Sequence, residues 1–265
     1  MKLLIQSDDF GITFGVTDGI VHGIKNGLIK NTGLFVNMES SEYAASLIKE
    51  YPEVCFGLDI NFVTGKPVSP REQVPALVDE NGDFIKSTVI HAQNNKIGDE
   101  GFATIFEDDP YPFEQVLIET ESQVNRFLEL VGRKPDYLHG HSLITPNIMR
   151  AFRLIARKYE LKISFDMLKE SNAFYLPTPW NIKPLFTLEK QMETDVEQLV
   201  LNSLPSILEH DLSVIICHAG FVDDDLFNYS TYTLIRNKDL SMVTSTAIHN
   251  WLRENNVELI TYRDL

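Results

Sequence analysis

The chain opens with a short apolar run, Leu3-Leu4-Ile5, that stops at Ser7 and meets two carboxylates, Asp8 and Asp9. Phe10 and Gly11 then turn the backbone. An unbroken apolar run of this length predicts a strand buried on both faces. Residues 17–26 follow with Ile20, Val21 and Ile24 at helical spacing, and Asn26-Gly27 reads as a helix stop. A second strand is predicted over 28–37 and a helix over 41–51, bounded by Pro52. A third strand, VCFGLDIN over 54–61, carries Asp59 near its end.

The rhythm breaks between 64 and 109. Pro67, Pro70, Pro75, Gly65, Gly82 and Gly98 divide polar runs, which predicts a long excursion with little regular structure. Excursions of this length in compact domains are usually functional. Residues 113–131 restore a strong amphipathic helix, with Val116, Leu117, Val124, Phe127, Leu128 and Val131 on one face. A strand ending at His139 and His141 comes next, then a helix over 147–159, a strand over 161–165 and a helix over 194–209. The run LSVIIC over 212–217 predicts a buried strand ending at His218. A helix over 247–255 and a strand over 257–262 close the chain. Strands alternating with helices predict an α/β fold with a mostly parallel sheet. About seven such units suit a barrel-like sheet better than a short open one, with a doubly wound sheet as the alternative. Residues 1–265 read as one domain, without repeat or linker.

Composition narrows the partners. A net charge of −15 and a pI near 4.8 argue against nucleic acid and against an anionic membrane. Cys55 and Cys217 both lie in apolar runs, which predicts buried thiols, no disulfide framework and a cytoplasmic setting.

The candidate chemistry lies at predicted strand ends: Asp8 and Asp9, Asp59, His139 with His141, and His218. A parallel sheet brings these ends to one face. Taken singly, each has a structural reading as a turn, cap or partly buried packing residue. Their joint placement favours a site, and carboxylates with imidazoles suit a divalent metal of the zinc or magnesium type. His22, His91, His210 and His249 lack such placement and read as surface or packing residues.

The motifs in order are LLIQSDDFG (3–11), GLDINFVTGKPVS (57–69), GRKPDYLHGH (132–141), IICHAGFVD (215–223) and the terminal TYRDL (261–265). With them the chain resembles the YdjC-like carbohydrate deacetylases. The resemblance implies a distorted (β/α) TIM-like barrel with about seven parallel strands, a homodimer, and metal-dependent removal of N-acetyl groups from amino sugars. It implies Asp9, Asp59 and His141 as metal ligands, Asp8 as base and His218 as acid. The sequence departs from the family where Asp59 replaces a His and His139 replaces an Asp. Later His residues of that run are missing, as is an Arg expected near 163–166. An oxygen-richer donor set favours Mg²⁺, with Zn²⁺ as the other candidate.

The implied substrate is a small N-acetylated oligosaccharide or its phosphate. His139, Lys66 and Phe84 are candidate substrate contacts, the last by stacking on a pyranose. Two other readings stand beside deacetylation: a catalytically altered relative that binds a sugar phosphate, and a glycoside hydrolase acting on a phosphorylated disaccharide through paired carboxylates.

Overall fold

Strand β1 (Lys2–Phe10) is buried from Leu3 to its end, although its last residues are polar. The structure, a computed structural model, describes residues 1–180 and 187–265. After β1 come α1 (Phe14–Asn26), β2 (Asn31–Leu34), α2 (Ser41–Leu47) and β3 (Cys55–Ile60). Thr13 caps α1 by accepting from the Val16 N–H. The excursion holds α3 (Ser87–Gln93) and a hairpin, β4 (Lys96–Glu100) with β5 (Ala103–Phe106).

The second half runs α4 (Phe113–Val131), β6 (Leu138–Gly140), α5 (Pro146–Tyr159), α6 (Ser164–Glu170), β7 (Phe174–Tyr175), α7 (Leu188–Glu193) and α8 (Val196–Ser203). It ends with β8 (Leu212–Cys217), α9 (Leu226–Tyr229), α10 (Ile235–Val243), α11 (Thr246–Glu254) and β9 (Glu258–Ile260).

Seven strands form one parallel sheet in the order β6-β3-β2-β1-β8-β7. The remaining strand, β9, pairs with Lys2–Leu4 of β1, while β2 pairs with β1 from Gln6 onward. Both occupy the edge of β1 that β8 leaves free. The sheet curls into a half-barrel, the distorted TIM-like barrel that the resemblance implies. Val116, Val124 and Phe127 of α4 are buried in the main core, as the apolar face predicts. Glu119 and Gln123 share that buried face. Glu119 accepts from the N–H groups of Val68 and Ser69 (both 2.9 Å), which fixes the start of the excursion.

Two expectations fail. Residues 161–165 form no strand: Ile163 makes a single bridge to Leu138, and α6 begins at Ser164. The excursion is more regular than its Pro and Gly content predicts, because α3 and the hairpin lie inside it. Among the described residues no helix is long and apolar enough to cross a membrane.

Candidate active site and metal centre

The site begins with an irregularity in β1. Ser7 pairs with Thr32 and Phe10 with Leu34, so Asp8 and Asp9 together face Gly33 alone. Two residues opposite one is a β-bulge, a device that re-aims side chains beside functional sites. Asp9 takes φ +72°, the left-handed conformation that Asp tolerates better than most residues. In a regular strand two successive side chains would point to opposite faces. Here both carboxylates reach the same polar cluster, at the carboxyl end of the sheet.

Asp59 enters from β3. A Cβ on Gly33 would lie 1.8 Å from Asp59 Oδ1, so the carboxylate occupies space that only glycine leaves open. Asp59 Oδ2 accepts the Asp9 N–H (3.0 Å), and Oδ1 is buried with no hydrogen-bond partner. His139 on β6 is the Cα partner of Asp59. The two residues read as departures from the family pattern are therefore neighbours. His139 Nδ1 contacts Ser164 Oγ (2.7 Å), and its Nε2 lies 3.6 Å from Asp8 Oδ2. His218 Nε2 approaches the same oxygen to 3.9 Å. Gln6 donates to Asp8 Oδ1.

Asp9 has different partners. Its Oδ1 meets His141 Nδ1 at 2.9 Å, and its Oδ2 meets Arg236 Nη2 at 2.5 Å. Arg236 is buried on α10, and its Nε donates to the Tyr232 carbonyl (2.7 Å). One turn along the same helix, Asp239 Oδ2 accepts from the His218 N–H (2.8 Å) and from the Tyr232 hydroxyl (3.3 Å).

These partners set the protonation. Burial alone would raise Asp9, yet His141 and Arg236 hold it well below the ordinary carboxylate range. Burial likewise opposes charge on Asp8, but His139 and then His218 keep it below its usual value. Asp59 goes the other way: burial, reinforced by Asp8, pushes it up to about 7. Burial would lower His139, but the Asp8 carboxylate outweighs it and the imidazole is raised. His218 is lowered, chiefly by burial.

The donor set fits a divalent cation. Asp8, Asp59 and His139 offer ligand atoms that all lie within 4.8 Å of one another. Of the three buried carboxylates only Asp9 is paired with the guanidinium of Arg236, and Asp59 Oδ1 is buried without a hydrogen-bond partner. Two oxygens and one nitrogen suit magnesium or zinc.

All six predicted strand-end residues meet in this cluster. The two weaker candidates do not join it. Lys66 is exposed, with its carbonyl accepting from Asn37 Nδ2 (2.9 Å). Phe84 is 2% exposed and lies edge-on to Phe62, so its ring has no open face for a sugar. Arg236, Asp239, Gln6 and Gly33 escaped the sequence reading. Arg236 and Asp239 sit in LIRNKDLSMV, where alternating charges look like a solvated helix face.

Residues 2–254 match the family described as YdjC-like protein. Carbohydrate deacetylase 2 of Listeria innocua is 31% identical to this chain, covering 100% of it and 99% of the relative. A carbohydrate deacetylase of Clostridium beijerinckii is 27% identical over the full length of both. Among solved structures, one described as a cellobiose-phosphate cleavage protein of Enterococcus faecalis superposes with a TM-score of 0.78. It has 23% identity and covers 99% of this chain and 98% of that one. With the family match running over residues 2–254, the chain belongs to the YdjC-like protein family.

Proposed function

We infer that this protein is a metal-dependent carbohydrate deacetylase acting on small N-acetylated saccharides. The observation that carries the reading is the buried cluster of three carboxylates, Asp8, Asp9 and Asp59, with three imidazoles, His139, His141 and His218. Full-length relatives named carbohydrate deacetylase support it.

Asp8, Asp59 and His139 would hold the ion. Asp9 is less suited, because Arg236 holds its Oδ2 and the His141 ring lies against its Oδ1. A divalent ion at such a site polarises an amide carbonyl and makes water a better nucleophile near neutral pH. His141 is 14% exposed, and Asp9 orients its imidazole from a distance of 2.9 Å. That pair has the geometry of a general base with its orienting carboxylate. Arg236 keeps Asp9 ionised beside that imidazole. His218, with its backbone fixed by Asp239 and its Nε2 3.9 Å from Asp8 Oδ2, suits proton delivery to the departing amine.

A second reading follows the resemblance: Asp9, Asp59 and His141 on the ion, and Asp8 as base. The 2.9 Å approach of His141 to Asp9 favours it. Asp59 belongs to both sets. The homodimer is carried as part of this proposal, and light scattering measures it.

Acetate release from N-acetylglucosamine and its short oligosaccharides, with Mg²⁺, Mn²⁺, Co²⁺ or Zn²⁺ added after chelation, tests the function. Acetate that appears only with an ion supports it. New reducing ends without acetate would favour the glycosidic reading, and sugar binding without either product the binding-only one.

A further inference from the structure

Among the described residues hairpin β4–β5 pairs with no strand of the main sheet, yet its tip is fastened beside the site. The Thr104 N–H donates to the Ile144 carbonyl (2.8 Å), in the loop that follows β6 and His141. At the tip Gly101 adopts φ +59°, the left-handed turn conformation, and Phe102 follows. The Phe102 ring stacks on Phe165, with centroids 4.7 Å apart and planes 28° apart. Phe165 in turn lies against the His139 ring at 4.6 Å. Tyr175 borders Phe102 at 5.7 Å.

One side of Phe102 is therefore packed, while the residue keeps 45% of its surface in solvent. Trp180, 46% exposed, stands in the same way against His218 at 5.6 Å. A chain of contacts thus runs from one open aromatic ring to the other: Phe102, Phe165, His139, Asp8, His218, Trp180. Large apolar rings left open beside a polar cleft are characteristic of ligand sites, where a few polar groups orient and aromatic walls bind. A pyranose matches such a wall, because its ring has an apolar C–H face and a polar rim.

The charge at the tip narrows the ligand. Asp99 and Glu100 precede Gly101, and the nearby Lys96 is paired with Asp99 at 2.8 Å. An acidic tip repels a phosphate and accepts a neutral or cationic sugar ring.

We propose that Phe102 forms a second sugar subsite, stacking an unphosphorylated pyranose next to the one whose N-acetyl group lies at the carboxylates. Phe102 then determines specificity, favouring a disaccharide over a monosaccharide. The proposal rests on the deacetylase reading for the identity of the sugar, but its test does not need turnover.

Calorimetry with N-acetylglucosamine and with its β-1,4-linked disaccharide reads the subsite, alongside acetate release. The wild-type protein should bind the disaccharide roughly 3- to 10-fold more tightly, the range that one aromatic contact supplies. Phe102→Ala should remove that preference and leave monosaccharide binding unchanged, while Phe102→Tyr should keep it. Thermal melts check that both variants fold. If the preference and its loss are seen but no acetate appears, deacetylation fails and the subsite stands. If acetate is released but Phe102→Ala alters both sugars equally or neither, the subsite fails and deacetylation stands. A wild-type protein that binds neither sugar overturns both.

Discussion

The two ends of the sheet treat charge in opposite ways. At the amino ends of β3 and β6, the charged groups are answered. Asp136 accepts from the Phe56 N–H (2.8 Å) and from Arg263 (2.6 and 3.0 Å). Arg263 also donates to the carbonyls of Pro52 (3.0 Å) and Val54 (2.8 Å). Nearby, Asn31 gives its amide to the Ile5 and Ile260 carbonyls and accepts the Tyr262 N–H. At the carboxyl ends, Asp9 Oδ1, Asp59 Oδ1, His218 Nδ1, Arg236 Nη1 and Asp239 Oδ1 are buried without hydrogen-bond partners. Buried polar groups in native proteins are almost always satisfied, so a cluster of exceptions calls for a ligand. The difference assigns stability to one end and chemistry to the other, as in other barrel-like α/β folds.

The largest expected effect sits where the chemical end is nonetheless paired. Arg236→Ala removes one partner of a fully buried ion pair and should cost about 3–5 kcal/mol in denaturant unfolding. A loss below about 1 kcal/mol would mean that Asp9 is not ionised in the folded protein. Gly33→Ala should come next. Its Cβ would take the place of Asp59 Oδ1, and overpacking of this kind costs about 1–3 kcal/mol. The variant should also lose divalent-ion affinity, whereas an unaltered affinity would remove Asp59 from the ion site.

A smaller effect is a pH slope. Burial pushes Asp239 up to about 7. A carboxyl group whose pKa is raised on folding stabilises the native state in acid, where it is protonated. That contribution is lost as pH rises from about 4 to about 7. Asp239→Asn lacks this loss, so its stability should fall less steeply than the wild type over that window. Parallel curves would place the raised group elsewhere. The smallest effect belongs to the satisfied end: Arg263→Ala removes a pair that is 38% exposed on the Arg side and should cost about 1 kcal/mol or less. A loss as large as that for Arg236 would erase the contrast between the two ends.

Much of this contrast is legible in the sequence. The apolar runs 3–5 and 212–217 mark β1 and β8 because strands buried on both faces must be continuously apolar. The amphipathic stretch 113–131 gives α4 to the residue. Carboxylates and histidines directly after such runs mark the site. The bulge at Asp8-Asp9 is hidden, because only the register against Gly33 reveals that both side chains share one face. Arg236 is hidden for a related reason. It lies 227 residues from Asp9, on a helix whose polar and apolar residues barely segregate, and nothing local separates a buried Arg from a solvated one. At 161–165 the pattern misleads: Ile163 does reach the sheet, but as a single bridge before α6 takes over.

The most direct test of the account is the divalent-ion stoichiometry of chelated and reloaded protein for the wild type, Asp8→Asn, Asp9→Asn and Asp59→Asn. Asp8, Asp59 and His139 form the compact donor set, while Asp9 is held by Arg236 and His141. The account therefore predicts about one ion per chain for the wild type and for Asp9→Asn, with Asp8→Asn and Asp59→Asn reduced by at least roughly 10-fold in affinity, the scale on which disturbing a metal site is felt. Full ion binding by Asp8→Asn together with its loss in Asp9→Asn would contradict the account and move the ion to Asp9, Asp59 and His141.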